Sequence, residues 1–150
     1  MEWSVLVGLI LVAGLVFVRQ VRVVQGQIEL AAIKSTLGAL RTAFVIDYSR
    51  REIAVRISPL VQTQHNPFEL LQRHPVNYRG VMPAVEAASA PVGGWVFDPV
   101  CVCVGYRPLD DAWFDSPGGD VMAWYQVSGA PGPLQLTAKE AYIWQGKAVN

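Results

Sequence analysis

The residues best suited to chemistry in this chain are two thiols, two imidazoles, a run of acids and a set of indoles. Cys101 and Cys103 are two apart in "VCVCVGYR". In an extended strand that spacing puts both sulfurs on one face, where a disulfide between them needs strained geometry. They are expected as buried free thiols, or as thiols pairing with another chain. A metal site drawing in His65 or His74 has no support from spacing, which fits no zinc pattern. Nor does the sequence bring a histidine near the thiols to act as base for a nucleophile, so an enzyme using Cys101 or Cys103 is the weakest reading of the pair.

The stretch "LDDAWFDSPGGD" carries Asp110, Asp111, Asp115 and Asp120 with two glycines. Calcium takes several oxygens from a flexible loop, and this composition can supply them, although the spacing is not that of an EF-hand. A solvated acidic turn is the alternative. Trp95, Trp113, Trp124 and Trp144 could stack on sugars, but in a small sheet domain indoles more often fill the core. Gly-rich phosphate loops, repeats and paired carboxylates in an acid–base setting are all missing from the sequence, so it is not read as an enzyme.

Composition explains what must hold these residues. The chain has 150 residues, 52% hydrophobic and 16% charged, which is apolar for one domain. Twelve basic and twelve acidic residues cancel. No overall field would gather nucleic acid, which is not expected as a partner.

The surplus apolar residues lie at the start. Trp3 to Val18 carry no charge and as a helix span ~24 Å; with Val21, Val23 and Val24 the stretch reaches the thickness of a bilayer if Arg19 and Arg22 snorkel. Glu2 precedes the run and Arg19 follows it, unlike a cleaved secretory signal, so the segment is expected to be retained. From Gln25 the pattern becomes amphipathic, with Leu30, Ile33, Leu37, Leu40 and Phe44 in one stripe and Glu29, Lys34, Arg41 and Asp47 assigned to the wet face. Proline is absent before Pro59, and isolated Gly26 and Gly38 weaken a helix without breaking it. One helix of about fifty residues is predicted, ~75 Å long.

Beyond Arg51 ten prolines break the chain into short pieces. Asn66 before Pro67 predicts a capped helix of two turns in "NPFELLQRH". Strands are predicted at Gly94 to Asp98, Val100 to Arg107, Val121 to Ser128 and Ala141 to Gly146. They form a small antiparallel sheet whose apolar face needs a cover, and the Leu30 to Phe44 stripe needs a partner. The fold class is therefore α+β: residues 1–24 a membrane or filament-core helix, 25–50 its amphipathic continuation packed on the sheet, and 51–150 a small β-sheet head.

This arrangement resembles the type IV pilin and type II secretion pseudopilin superfamily. "NPFELLQRHPVNYRG" followed by "GGWVFDPVCVCVGYRP" looks like the pattern of some minor or mannose-sensitive-haemagglutinin-type pilins. The resemblance implies a structural subunit that sits in the bacterial inner membrane and is then drawn into a periplasmic pseudopilus or an extracellular pilus, among other pilin-like subunits. Val5, Leu6, Leu9, Ile10, Val12, Ala13, Val16 and Phe17 would pack the filament core. Glu2 would pair with the terminal ammonium of a neighbour; a carboxylate entering a helix bundle is costly unless paired, so pairing sets register. Related major pseudopilins bind calcium in a loop of the sheet region, which extends the calcium expectation to Asp110 to Asp120. In the family the glutamate is fifth in the mature chain, whereas here it is second. Arg19 and Arg22 also lie where pilins are apolar. By the positive-inside tendency they favour a cytoplasmic domain, against the pilin topology; the alternative reading is a single-pass anchored protein whose small β-domain binds a partner.

Overall fold

The structure is a computed structural model that describes residues 2–55, 66–129 and 133–149. Helix α1 runs unbroken from Glu2 to Val55, 54 residues, through both Gly26 and Gly38. The chain divides into two compact units, Met1–Ala32 and Ile33–Asn150, with the division inside α1.

In the first unit the large apolar side chains of α1 are exposed around the whole circumference, from 38% at Val21 to 82% at Trp3. The helix is long and apolar enough to cross a membrane. A helix apolar on every side is not stable in water by itself and needs lipid or other apolar helices around it. Glu29 departs from the expectation that it faces water: it is only 6% exposed. Its spacing gives the reason, because 29, 33, 37, 40 and 44 follow steps of four, four, three and four and so share one helix face. Leu30, expected on the stripe, is half-buried at its margin.

In the second unit Ile33, Leu37, Leu40 and Phe44 are all buried, as their periodicity requires. The sheet lies beneath them: Arg41 donates to the Leu136 carbonyl at 3.4 Å and its charge acts on Tyr125. Burying four such side chains at about 1.5–3 kcal/mol each is the main attachment of helix to sheet.

Among the described residues eight strands form two sheets. The first contains β1 (Tyr78–Val81), β2 (Trp95–Asp98), β3 (Cys103–Tyr106), β5 (Ala123–Ser128) and β6 (Gln135–Ala138), in the order β1-β2-β3-β5-β6. The second contains β4 (Phe114–Asp115), β7 (Tyr142–Trp144) and β8 (Lys147–Val149), in the order β4-β7-β8. The five-stranded sheet is mixed, since β1 runs parallel to β2. All other pairings are antiparallel. The segment Ala141 to Gly146 thus forms its strand in the smaller sheet, beside β4.

Strands β2 and β3 are buried at every position, so the larger sheet is covered on both faces. Register places Trp95, Tyr106 and Tyr125 on one face. Val96, Cys103 and Trp124 lie on the other, where they cluster with Ala90 and Met122. Gly105 sits opposite Trp124, and a Cβ there would meet the indole ring at 2.5 Å. Only a glycine lets that ring lie flat on the strand.

The motif residues hold the head together. Asn66 caps as predicted, its Oδ1 accepting from Phe68 N at 3.1 Å, but the helix it opens is one 3₁₀ turn, Pro67–Leu70. Asn66 Nδ2 also donates to the Tyr78 hydroxyl at 2.6 Å. Asn77 Nδ2 donates to the Gly93 carbonyl at 2.6 Å, and Arg107 Nη1 donates to the Ala88 and Ala90 carbonyls at 2.6 and 2.8 Å. Phe68, in tilted ring contact with Tyr78 and Trp95, is fully buried.

Candidate functional site

The residues expected to assemble a filament lie on the exposed apolar part of α1. Val5, Leu6, Leu9, Ile10, Val12, Val16 and Phe17 are 55–69% exposed, and Ala13 is exposed as well. Their neighbours Val7, Leu11, Leu15 and Val18 are equally bare, so the eight do not form a separate face. Glu2 is the first residue of α1, and its side chain lies outside the described residues.

The four aspartates expected as calcium ligands lie between β3 and β5. Asp110 is committed to the backbone: its Oδ1 accepts from Ala112 N at 3.0 Å and caps the 3₁₀ turn Asp111–Trp113. Asp111, Asp115 and Asp120 border one open hollow of about 220 Å³ with Phe114, Ser116, Gly119 and Val121. Among the described residues no group of three or more histidine, cysteine or acidic side chains is placed to hold a metal ion.

The acid that organises the loop comes from elsewhere in the chain. Glu140 Oε2 accepts from Ser116 Oγ at 2.6 Å and from Gly118 N at 2.8 Å. The Ser116 hydroxyl, then the Gly118 N–H, and finally Lys139 nearby hold its carboxyl below the usual glutamate range. A turn closed by Gly119 N donating to the Ser116 carbonyl at 2.8 Å is thereby tied to the segment between β6 and β7. No local pattern announces this, because the partners are separated by 24 residues.

The cysteines correct the sequence reading outright. They are joined to each other as a disulfide, with Cα atoms 5.2 Å apart. The expectation of two thiols on one strand face fails because β3 begins only at Cys103. Cys101 lies in the turn after β2, and Val102 between them is left-handed, φ 54°. That conformation costs a side-chain-bearing residue roughly 1–2 kcal/mol and suits a β-branched one least. Around the turn, Asp98 Oδ1 accepts from Val100 N at 2.8 Å, Asp98 Oδ2 accepts from Ala84 N at 2.9 Å, and Val127 N donates to the Val102 carbonyl at 3.0 Å.

The indoles are chiefly core. Trp95, Trp124 and Trp144 are at most 3% exposed, and half-buried Trp113 packs on Trp144 with centroids 6.4 Å apart. His74 is exposed with its ring edge-on to Tyr78 at 5.3 Å, and His65 lies outside the described residues.

No family model, no curated protein and no solved structure matches this chain.

Proposed function

We propose that this chain is a structural subunit of a helical filament of the type IV pilus or type II secretion pseudopilus kind. Residues 3–24 hold it in a bacterial inner membrane before assembly, and neighbouring pilin-like helices take the place of lipid afterwards. One observation carries the reading: the first part of α1 is bare and apolar on every side, while the same helix, from Ile33 to Phe44, is fastened to a small sheet by a buried stripe. Such a rod satisfies its surface equally well in lipid or among its own copies. A repeating head-to-tail contact that does not close gives a filament. In this reading the work is assembly, with the head on the outside and the Asp110–Asp120 loop at its surface.

The Cys101–Cys103 disulfide supports a head in an oxidising compartment, outside the cytoplasm. Arg19 and Arg22 favour the second reading, a single-pass anchored protein whose small domain binds a partner, because basic residues after the span tend to stay inside.

Two measurements on the full chain in bacterial membranes test this. A photo-crosslinking residue at Leu9, 66% exposed, should give a ladder of multimers, and monomer adducts alone would overturn the filament reading. A Val76→Cys variant, at a fully exposed site, should react with a membrane-impermeant maleimide in spheroplasts; protection until lysis would place the head in the cytoplasm.

A further inference from the structure

We propose that the Cys101–Cys103 disulfide is a thiol–disulfide exchange site that latches the β2–β3 turn, with an external dithiol as its reaction partner. The chemistry of this turn does not depend on what the long helix assembles with. The left-handed position that closes a short hairpin is normally held by glycine or asparagine, and here it is held by Val102. A covalent bond joins the residues on either side of it. The other restraints on the turn are the hydrogen bonds Val100 N to Asp98 Oδ1 at 2.8 Å and Val127 N to the Val102 carbonyl at 3.0 Å. Such bonds can break and re-form without chemistry. The disulfide is the one restraint on this turn that a redox reaction can release.

The two sulfurs are unequally accessible. Cys103 is fully buried in the apolar cluster of Ala90, Val96, Met122 and Trp124, whereas Cys101 is only partly buried at its edge. An incoming thiolate therefore reaches the Cys101 sulfur. Attack forms a bond between the incoming sulfur and Cys101 and breaks the Cys101–Cys103 bond, so that Cys103 leaves as a thiolate and takes up a proton. The second thiol of the reductant, as its thiolate, then attacks the reductant's first sulfur and frees Cys101. The dithiol is oxidised to a disulfide and the two cysteines are reduced, two electrons in all. A single monothiol should be expelled by Cys103 closing back on Cys101, which selects a dithiol as the productive partner. Once the bond is open, Val102 is free to leave the left-handed region and the turn loses its fixed form.

The full-length chain in detergent, purified without reductant, is equilibrated with mixtures of oxidised and reduced dithiothreitol, then alkylated and mapped by mass spectrometry. Both thiols should appear together in one two-electron transition, and in a parallel reaction with reduced glutathione the adduct trapped by acid quenching should sit on Cys101. Reduction should lower the melting midpoint by about 4 °C. In a Val102→Gly variant, which favours the left-handed turn without help, that drop should largely vanish. Cysteines that alkylate before any reductant is added, an adduct on Cys103, or a Val102→Gly variant that loses as much on reduction as the parent would each overturn the proposal.

Discussion

The Tyr142 hydroxyl bridges both backbone groups of one residue: it accepts from Trp124 N at 2.7 Å and donates to the Trp124 carbonyl at 2.9 Å. Lys139 N, in the residue after β6, also reaches that carbonyl at 2.9 Å, so Trp124 is satisfied from the end of β6 and by the phenol from the smaller sheet. This joins the two sheets at a buried point. Replacing Tyr142 with Phe strands a buried N–H and should cost about 1–3 kcal/mol. Unfolding followed by tryptophan fluorescence measures it, and a loss below a few tenths of a kcal/mol would show that the bridge contributes nothing.

Buried phenols make the head sensitive to alkali. Burial pushes Tyr125 up to about 12, against a lowering by Arg41, and burial raises Tyr142 further still. Both folded values lie above the unfolded value near 10, so the folded state holds more protons in that range. Stability should be intact below about pH 10 and fall as pH rises toward 12. Absorbance at 295 nm should show these two tyrosines ionising together with unfolding, not before it.

Glu140 gives the opposite dependence. Its folded value is lowered, so its contribution is present above the ordinary glutamate range and is lost as acid protonates it in the folded state. The Gly118 amide resonance should shift as pH falls below about 4.5. In Glu140→Gln that titration should disappear.

Leu40 is fully buried where α1 meets the sheet, so Leu40→Ala should cost about 2–5 kcal/mol. Lys34→Ala, on the exposed side of the same helix, should stay within about 0.5 kcal/mol. Equal losses in denaturant melts would mean that the stripe does not carry the attachment.

If the filament reading holds, Glu2→Gln should reduce co-assembly while leaving membrane insertion and head stability unchanged. Crosslinked multimers in normal amount would remove the register role of that carboxylate.

How much of this was legible depended on whether the cause was local. The stripe Ile33, Leu37, Leu40 and Phe44 is written in a 3.6-residue period, and the Asn66 cap in two adjacent residues. Glu29 is buried despite its charge, because it lies in step with Ile33 and Leu37. Strands β2, β3 and β5 carry enough β-branched and aromatic residues to show themselves. Strands β1 and β6 are short and partly polar, and they exist because a neighbouring strand offers hydrogen bonds.

The sequence by itself determined the long uninterrupted helix, its bare apolar beginning, its buried stripe and the α+β class, since each follows from residue type and period along one stretch of chain. Only the tertiary structure decided that the strands divide into two sheets, that Glu140 holds the turn at Ser116–Gly119, that Tyr142 meets the Trp124 backbone where the β5–β6 pairing stops, and that Cys101 and Cys103 meet. These relationships join groups whose approach is set by the turns between them, above all the left-handed backbone at Val102, and no periodicity records such an approach.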